Sequence, residues 1–415
     1  MSREELEALS KTLAWQRCPI PPPITRVEQA PLRILMVGWE FPPAYAGGLG
    51  IHCYEICREL TRMGHKVTFL SPNPGPFTEV EGVTHRSPGG PSSTDGGEVS
   101  QPYIALDVND PKFLDDLGLY NDFVANIPDV KKHDVIHVHD WLGTDGAARL
   151  SASSGVPLVM TMHSTEYDRS LGNPWPEILA REELGLAHAH RVIAVSRHLK
   201  DQLVERYRVP EARIRVVYNA VRPTDRLSPL ESSQSIVLYL GRLVAMKGVE
   251  TFLRAAAQVA PRSPGTLFVM AGEGPEYPRL LTLAAHLGIA DRVLFLGRVT
   301  EDERSLLLAA ASVFVLPSVT EPFGIAALEA MAAGVPTIVS KTSGVAEVTR
   351  NVFAIDFWDI DEFASRMLEL LEYPALRRSM GERGRWDALK SGWPERTIET
   401  VAVYLEAIAN LRSSS

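Results

Sequence analysis

The sequence contains an apolar run, VFVL at residues 313–316, followed closely by EPFGIAALE at residues 321–329. The apolar run is typical of a buried strand, and Pro322 and Gly324 interrupt the chain after it. The residues that follow Gly324 are strong helix formers. This stretch therefore predicts a strand, a short loop and a helix start, which together form the repeating unit of a parallel α/β sheet.

The start of this helix is the first candidate binding site. The amides of Phe323, Gly324 and Ile325 would be unpaired donors at a helix N-terminus, which attracts anions and phosphates above all. Glu321 stands just before the opening, and Glu329 follows it by eight positions. One carboxylate near a sugar and the other near a ribose would hold a nucleotide-sugar on either side of its diphosphate.

The same alternation of short apolar runs and helix-like segments extends over most of the chain. It predicts parallel sheets that are covered on both faces. We therefore expect an α/β protein with two doubly wound, Rossmann-like domains facing each other across a cleft, and ligands bound beyond the carboxyl ends of the strands. The predicted strands are residues 32–38, 67–70, 135–139, 158–162, 192–195, 214–217, 236–240, 267–270, 293–296, 313–316, 337–339 and 352–355.

Segments rich in proline, glycine and serine divide the chain. They predict an N-terminal arm over residues 1–31, a first domain over residues 32–222 and a second domain over residues 223–392. A final helix over residues 393–415 is expected to return to the first domain. Residues 72–101 are interpreted as a mobile surface loop.

Composition excludes several classes of function. The 415 residues, 45% of them hydrophobic, suit two domains. The 42 Lys+Arg against 51 Asp+Glu give a formal charge of −9, which argues against general affinity for nucleic acid. The three cysteines are sparse, as in a reducing compartment, and Cys53 and Cys57 are expected to pack on one helix face. An acidic N-terminus and the lack of an apolar run of ~20 residues favour a cytoplasmic protein without a membrane span.

Two cations follow the first predicted strand of the second domain. If Arg242 and Lys247 both turn toward the ligand, they meet a diphosphate, bidentate from arginine and point-like from lysine. Such a pair would also stabilise a departing nucleoside diphosphate. The alternative is that both are solvated surface charges. Gly272 follows the next strand and could let the backbone approach a nucleotide, although a bare turn of this kind is weak evidence.

The first domain offers polar residues at corresponding places. Gly47 and Gly48 join its first strand to a helix, in a loop suited to approaching a phosphate or a sugar. Asp140 could accept hydrogen bonds from sugar hydroxyls, and Trp141 could offer an apolar face to a pyranose ring. A helix cap followed by a packed tryptophan is the alternative. His163 ends a strand and is either a site residue or a core histidine.

Metal dependence has little support in the sequence. The one Asp-x-Asp motif is Asp359-Ile360-Asp361, which precedes a predicted helix and is interpreted as a cap. No metal or other cofactor is expected, because the two cations would replace the metal.

The chain resembles the retaining GT-B glycosyltransferases over roughly residues 32–410. The resemblance rests on motifs in a fixed order: the glycine loop at residues 47–50, His139-Asp140-Trp141, His163, the Arg242 and Lys247 pair, and residues 321–329. They are similar to family 4 enzymes, with features of glycogen and starch synthases in Trp39-Glu40-Phe41-Pro42-Pro43 and His139-Asp140-Trp141. The resemblance implies a nucleotide-diphosphate sugar as donor and a sugar or glucan as acceptor. It implies catalytic roles for His163, Glu321, Arg242 and Lys247, donor contacts from Gly47, Gly48, Gly272, Phe323, Gly324, Ile325 and Glu329, and acceptor contacts from Asp140, Trp141 and Tyr167.

One departure from the family pattern leaves the donor open. Bacterial glycogen synthases that resemble this chain carry a lysine two residues before the glycine pair, where this sequence has Tyr45. The donor base is therefore adenine, uracil or guanine. Two alternatives to a transferase stay open: a GT-B epimerase acting on the nucleotide-sugar, and a non-catalytic protein that binds nucleotide-sugars or glycans.

Overall fold

The computed structural model describes residues 30–43, 47–73, 75, 77–88, 111–222, 234–390 and 392–414. The described residues form two compact units. Among the described residues, the N-terminal unit contains residues 30–219 together with the segment from Trp393, and the C-terminal unit runs from Ala220 to Gly392. Most of the predicted arm and Tyr45 lie outside the described residues.

Strands and helices alternate along both units. The strands are β1 (Arg33–Val37), β2 (Lys66–Leu70), β3 (Val83–Arg86), β4 (Val135–His139), β5 (Leu158–Met162), β6 (Arg191–Ala194), β7 (Ile214–Val216), β8 (Ser235–Leu240), β9 (Thr266–Ala271), β10 (Val293–Gly297), β11 (Val313–Leu316), β12 (Thr337–Ser340) and β13 (Phe353–Ile355). The helices are α1 (Gly48–Arg62), α2 (Pro111–Ala125), α3 (Thr144–Ser154), α4 (Glu166–Arg169), α5 (Pro176–His188), α6 (Arg197–Glu205), α7 (Val249–Val259), α8 (Tyr277–His286), α9 (Glu301–Ala310), α10 (Ile325–Ala332), α11 (Ile360–Glu372), α12 (Pro374–Leu389) and α13 (Trp393–Ser414). Short 3-10 helices lie at Val130–Lys132, Glu211–Arg213, Ala245–Lys247 and Gly344–Glu347.

The sheet of the N-terminal unit is parallel in all its described pairings and has the order β3-β2-β1-β4-β5-β6-β7. The chain builds outward from β1 in one direction and then, from β4, in the other. The winding therefore reverses between β1 and β4, which is the switch point where doubly wound sheets bind ligands. Every residue of β4 and β5 is buried because helices cover both faces.

The sheet of the C-terminal unit has the order β10-β9-β8-β11-β12-β13 and is also parallel. Its winding reverses between β8 and β11. Every residue of β11 and β12 is buried. The predicted fold class, two doubly wound α/β domains, is confirmed.

One prediction about the N-terminal unit is wrong. Residues 72–101 were expected to be a loop, but β3 forms within them and pairs with β2. It is an edge strand whose residues alternate between half-buried and exposed, so it lacks the continuous apolar run that marks the central strands.

Helix α13 packs on the N-terminal unit, against α1 and the strands β4, β5 and β6. The fully buried Tyr404 places its hydroxyl 2.7 Å from Nδ1 of His137 on β4. Glu406 pairs with Arg191 at 2.9 Å. Along the described ranges of the chain, no helix is long and apolar enough to cross a membrane.

Candidate functional site

The switch point of the C-terminal unit collects charged residues. Arg242 and Lys247 follow β8, whereas Glu321 follows β11. Because β8 and β11 are neighbouring parallel strands, their carboxyl ends meet at the same edge of the sheet. The two predicted cations and the first predicted carboxylate therefore lie on adjacent loops.

Lys247 and Glu321 form an ion pair in this position. Nζ of Lys247 lies 2.6 Å from Oε2 of Glu321, and the hydroxyl of Ser318 donates to the same oxygen at 3.0 Å. The two charged side chains are only 16% and 7% exposed. Removing one partner of a buried pair costs about 3–5 kcal/mol because the other charge is left uncompensated. Lys247 is thus not a solvated surface charge in this structure.

The two loops approach each other at Gly248. This residue has φ of +65°, and a Cβ atom there would lie 1.8 Å from the carbonyl oxygen of Pro317. No side chain fits in that space. The loops are joined further by the amide of Val319, which donates to the carbonyl of Met246 at 2.8 Å. Glycine at position 248 therefore allows Lys247 to reach Glu321.

Arg242 lies on the same loop as Lys247 and is half-buried. Its carbonyl accepts a hydrogen bond of 2.7 Å from the hydroxyl of Tyr239. Burial raises the pKa of Tyr239, nearby Glu321 raises it further, and Arg242 opposes both effects. Glu321 and Arg242 therefore both act on the Tyr239 hydroxyl, and within the described chain the Arg242 guanidinium has no ion-pair partner.

The predicted helix start is present. Gly324 has φ of +100° and precedes α10, and its carbonyl accepts from the amides of Ala327 and Leu328 at 3.1 and 3.2 Å. The amides of Gly324 and Ile325 have no hydrogen-bond partner among the described residues, as expected at a helix N-terminus. Phe323 is buried, and its carbonyl accepts from Val345 at 2.7 Å. The opening of α10 is thus firmly anchored and can accept an anion.

Glu329 has a cationic partner that the sequence did not predict. Its Oε1 lies 3.2 Å from Nη1 of Arg304 on α9. Burial raises the pKa of Glu329, Arg304 lowers it and Glu301 raises it again. The two carboxylates of the candidate site are therefore held by different cations, Glu321 by Lys247 and Glu329 by Arg304.

Gly272 lies where the loop after β9 meets the loop after β8. A Cβ atom on Gly272 would lie 1.9 Å from the carbonyl oxygen of Gly241. Its amide donates to the carbonyl of Gly297 at 2.8 Å. The structure therefore places Gly272 next to the loop that carries Arg242.

The switch point of the N-terminal unit contains three histidines. His139 ends β4, His163 follows β5 and His52 lies on α1. Nδ1 of His139 is 3.1 Å from Nε2 of His163, and the His52 ring centroid lies 5.3 and 4.5 Å from those of His139 and His163. One ring nitrogen from each residue lies within 4.8 Å of the other two. We call these three residues the histidine cluster.

Burial keeps the histidine cluster uncharged at neutral pH. It lowers the pKa of His163 to about 3. Burial also places the pKa values of His52 and His139 well below the ordinary value of 6.5, and repulsion from neighbouring histidines adds to the effect. The cluster therefore presents neutral ring nitrogens.

Asp140 and Trp141 follow β4, and both are buried. Asp140 accepts a hydrogen bond of 2.7 Å from the amide of His163, and burial raises the pKa of Asp140 to about 6 against the opposing charge of Arg169. Trp141 is 3% exposed and meets Phe113 edge to face at 6.4 Å. The expected apolar face on Trp141 is therefore corrected to a packed tryptophan, because its ring lies in the core.

The other predicted residues of this unit lie on helices. Tyr167 on α4 is half-buried, and the Arg206 guanidinium lies over its ring at 4.7 Å. Gly47 is the N-cap of α1, with extended backbone, and Gly48 is its first residue. No side chain caps this helix end.

Two predictions from simple patterns are confirmed. Asp359 caps α11 by accepting a hydrogen bond of 3.0 Å from the amide of Glu362. Cys53 and Cys57 are both buried on α1 as free thiols.

Comparison with protein families gives a match to each unit. The family described as "Glycosyl transferases group 1" matches residues 222–387, and the family described as "Glycosyltransferase Family 4" matches residues 46–225.

Individual relatives cover most of the chain. An uncharacterized glycosyltransferase of Methanocaldococcus jannaschii is 33% identical over 77% of this chain and 83% of its own length. The glycogen synthase of Mycobacterium tuberculosis is 31% identical over 91% of this chain and 95% of its own. The D-inositol 3-phosphate glycosyltransferase of Acidothermus cellulolyticus is 30% identical over 68% and 69%.

Solved structures with low sequence identity share the fold. A sucrose-phosphate synthase from Thermosynechococcus elongatus has a TM-score of 0.78 at 22% identity, covering 91% of this chain and all of its own. The catalytic domain of starch synthase IV from Arabidopsis thaliana has a TM-score of 0.68 at 16% identity, covering 92% of this chain and 100% of its own.

Proposed function

Because the chain belongs to the family 4 glycosyltransferases of GT-B fold, we propose that it is a retaining, metal-independent enzyme that transfers a hexose, with glucose as first candidate, from a nucleotide-sugar to a sugar or glucan hydroxyl. The observation that carries this proposal is the buried Lys247–Glu321 pair. It lies at the switch point of a doubly wound sheet, beside a helix start with unpaired amides.

The two cations supply the electrostatics of the proposed reaction. The half-buried Arg242 and Lys247 would bind the donor diphosphate, together with the amides at the start of α10. As the bond from the anomeric carbon to the phosphate oxygen breaks, negative charge grows on the leaving nucleoside diphosphate, and nearby cations stabilise it. Before the donor binds, Glu321 neutralises Lys247, and each side chain holds the other in place. With donor bound, Glu321 would accept hydrogen bonds from the sugar.

Glu329 would bind the ribose hydroxyls of the donor. An ionised carboxylate accepts hydrogen bonds from hydroxyls, but burial favours its protonated form. Arg304, at 3.2 Å, counteracts burial and favours the ionised form. Arg304 is therefore part of the proposed donor site through its effect on Glu329.

The N-terminal unit would supply the remaining contacts. His163, kept neutral by burial, would contact the donor sugar, while Gly47 and Gly48 would offer backbone amides. Tyr167 is half-buried, and we place the first acceptor contact there. Asp140 holds the loop of His163 through its 2.7 Å hydrogen bond.

Retention would follow from attack on the face that the diphosphate leaves. The acceptor oxygen forms the new bond to the anomeric carbon while the bond to the phosphate oxygen breaks. The leaving phosphate takes the proton of the acceptor hydroxyl. No protein nucleophile and no metal takes part in this proposed step. A cytoplasmic location stays a prediction.

The test is release of nucleoside diphosphate from ADP-, UDP- and GDP-glucose, with and without acceptor. Malto-oligosaccharide and D-inositol 3-phosphate are chosen as acceptors because the relatives include a glycogen synthase and a D-inositol 3-phosphate glycosyltransferase. Acceptor-dependent release, with an α-linked product by NMR, supports the proposal. Isomerisation of the donor sugar without release would indicate an epimerase, and binding without turnover would indicate a non-catalytic protein.

A further inference from the structure

We propose that His52, His139 and His163 form a binding site for a divalent transition-metal ion of the Zn²⁺ type. All three ligands belong to the N-terminal unit, whereas Arg242 and Lys247 lie in the C-terminal unit, and the ion would take no part in the transfer reaction. Its three ligands come from α1, from the end of β4 and from the loop after β5.

The spacing of the ring nitrogens suits such an ion. Zinc binds histidine nitrogens at about 2.0–2.1 Å in tetrahedral geometry, so two ligating nitrogens lie about 3.4 Å apart. Nδ1 of His139 and Nε2 of His163 are 3.1 Å apart. One ring nitrogen of His52 lies within 4.8 Å of both.

A second layer of contacts prepares His52 to act as a ligand. Its Nδ1 lies 2.7 Å from Oδ1 of the buried Asn219, and an amide oxygen only accepts, so Nδ1 carries the proton. The lone pair is then on Nε2. Histidine ligands are commonly oriented in this way, with one ring nitrogen donating to an oxygen and the other bound to the metal.

His139 is incompletely satisfied by the protein. His139 is only 1% exposed, and its Nε2 has no hydrogen-bond partner in the described part of the chain. The neighbouring His137 differs, because Tyr404 and Thr161 lie 2.7 Å from its two ring nitrogens. With Nδ1 as the ligand atom, Nε2 carries the proton, and the metal bond at Nδ1 would compensate the His139 ring for part of the water contacts it lost on burial.

The chemistry of the three ligands selects the kind of ion. Neutral imidazoles suit Zn²⁺, Cu²⁺, Ni²⁺ and Co²⁺, whereas Mg²⁺ and Ca²⁺ prefer oxygen. Three protein ligands leave a fourth tetrahedral position for water or another small ligand.

Occupancy of this site would inhibit the enzyme, and this part rests on the proposed function. A metal bound to His163 removes the ring nitrogen that the proposed donor contact uses. We therefore expect the metal-free protein to be the active form and Zn²⁺ to be an inhibitor competitive with the nucleotide-sugar.

The binding test uses the full chain after removal of metals. Titration with Co²⁺ should give one equivalent with the visible absorption of a tetrahedral ion and no sulfur-to-metal absorption from cysteine, and Zn²⁺ should displace it. His52→Ala and His139→Gln should weaken binding at least ~10-fold, as loss of one of three ligands requires. His188→Ala, which removes an exposed histidine on α5, is the matched control.

Two further measurements guard against misfolded variants. Each variant should keep a single thermal transition, and Zn²⁺ should raise the melting temperature of the wild type and the His188 variant only. Equal Co²⁺ binding by all variants would overturn the site. If Zn²⁺ binds through the cluster but leaves transfer unaffected, the role of His163 in the proposed function is wrong while the metal site stands. If His163→Ala lowers transfer but no metal binds, the site is overturned and the proposed function stands.

Discussion

The two units share a strand order but differ in the chemistry at their switch points. In both, the chain builds outward from one central strand and then reverses beside it. At the N-terminal switch point the clustered polar groups are imidazoles, buried in His52 and His139 and half-buried in His163, whereas at the C-terminal one they are lysine, arginine and glutamate. The C-terminal unit contains one histidine, His286, and the other ten precede Asn219.

This difference shows that the fold fixes where a ligand can bind, and the loop residues decide which ligand it is. In the proposed function, the C-terminal unit would supply the fixed positive charge that a donor diphosphate requires. The N-terminal switch point offers neutral hydrogen-bonding groups, of which His163 is the one proposed to contact the donor sugar. The two switch points therefore suit ligand groups of different charge.

The largest effect should come from the charged pair. We expect Lys247→Ala and Glu321→Ala each to lower kcat at least ~100-fold. Each variant removes a contact that becomes stronger in the transition state, as negative charge grows on the leaving diphosphate. Steady-state kinetics measure this. The matched control is Lys341→Ala, which breaks an exposed lysine–aspartate pair of 2.8 Å in the same unit. Near-normal turnover in either site variant, with the fold intact, would remove that residue from its proposed role.

A smaller effect should follow from Arg304→Gln. Without the Arg304 guanidinium, the pKa of Glu329 should rise further above its ordinary value. The Glu329 carboxylate should then become protonated at a higher pH than in the wild type. The donor KM should rise ~10-fold and increase further as the pH falls, with little change in kcat.

The control for this variant is Arg366→Gln, which removes a surface pair with Glu362. A merely structural role for Arg304 would change stability without producing the pH-dependent KM. That outcome would separate Arg304 from the donor site.

The histidine-rich unit should be the acid-sensitive one. Burial lowers the pKa values of four histidines in this unit, His52, His137, His139 and His163. Below the unfolded-state pKa of 6.5, the unfolded chain binds protons at these histidines and the folded protein does not, so the folded state loses stability as the pH falls. Asp140, with its pKa raised to about 6, and Glu182, whose pKa burial also raises, work in the opposite direction, but they are two groups against four.

We therefore expect the melting temperature to fall at least ~5 °C between pH 7 and pH 5. Hydrogen exchange on the full chain, corrected for intrinsic rates, should locate the loss of protection in the N-terminal unit. Equal loss in both units would mean that the buried histidines do not set the acid sensitivity.

The smallest expected effect is that of a chelator. Treatment with EDTA should leave the transfer rate within about twofold, because Arg242 and Lys247 replace a metal at the diphosphate. A loss of activity that Mg²⁺ or Mn²⁺ restores would contradict this account. Removal of trace Zn²⁺ from the histidine cluster should, if anything, raise the rate.

Strand positions could be predicted where local sequence and burial coincide. The limits of β4, β5 and β11 match their predicted residues, because each is a central strand buried at every position and its apolar run is the strand itself. β3 was missed because an edge strand keeps one side exposed.

Partners of the site residues were less predictable. Lys247 and Glu321 were both recognised from their positions after strands, but their 2.6 Å pairing requires that β8 and β11 be neighbours. Arg304 lies within a helix of mixed polarity, and nothing in its local sequence distinguishes it from a surface arginine. The burial of Trp141 depends on contacts with Phe113 of α2, which no local pattern encodes.

By itself, the sequence determined the fold class, the family and the helix start at Gly324, because these depend on periodicity, short motifs and backbone preferences between near neighbours. Only the tertiary structure decided which charges meet. It paired Glu321 with Lys247 and Glu329 with Arg304, and it brought His52 to His139 and His163. These contacts join residues far apart in the chain, so their geometry depends on how the strands are ordered and how the helices pack between them.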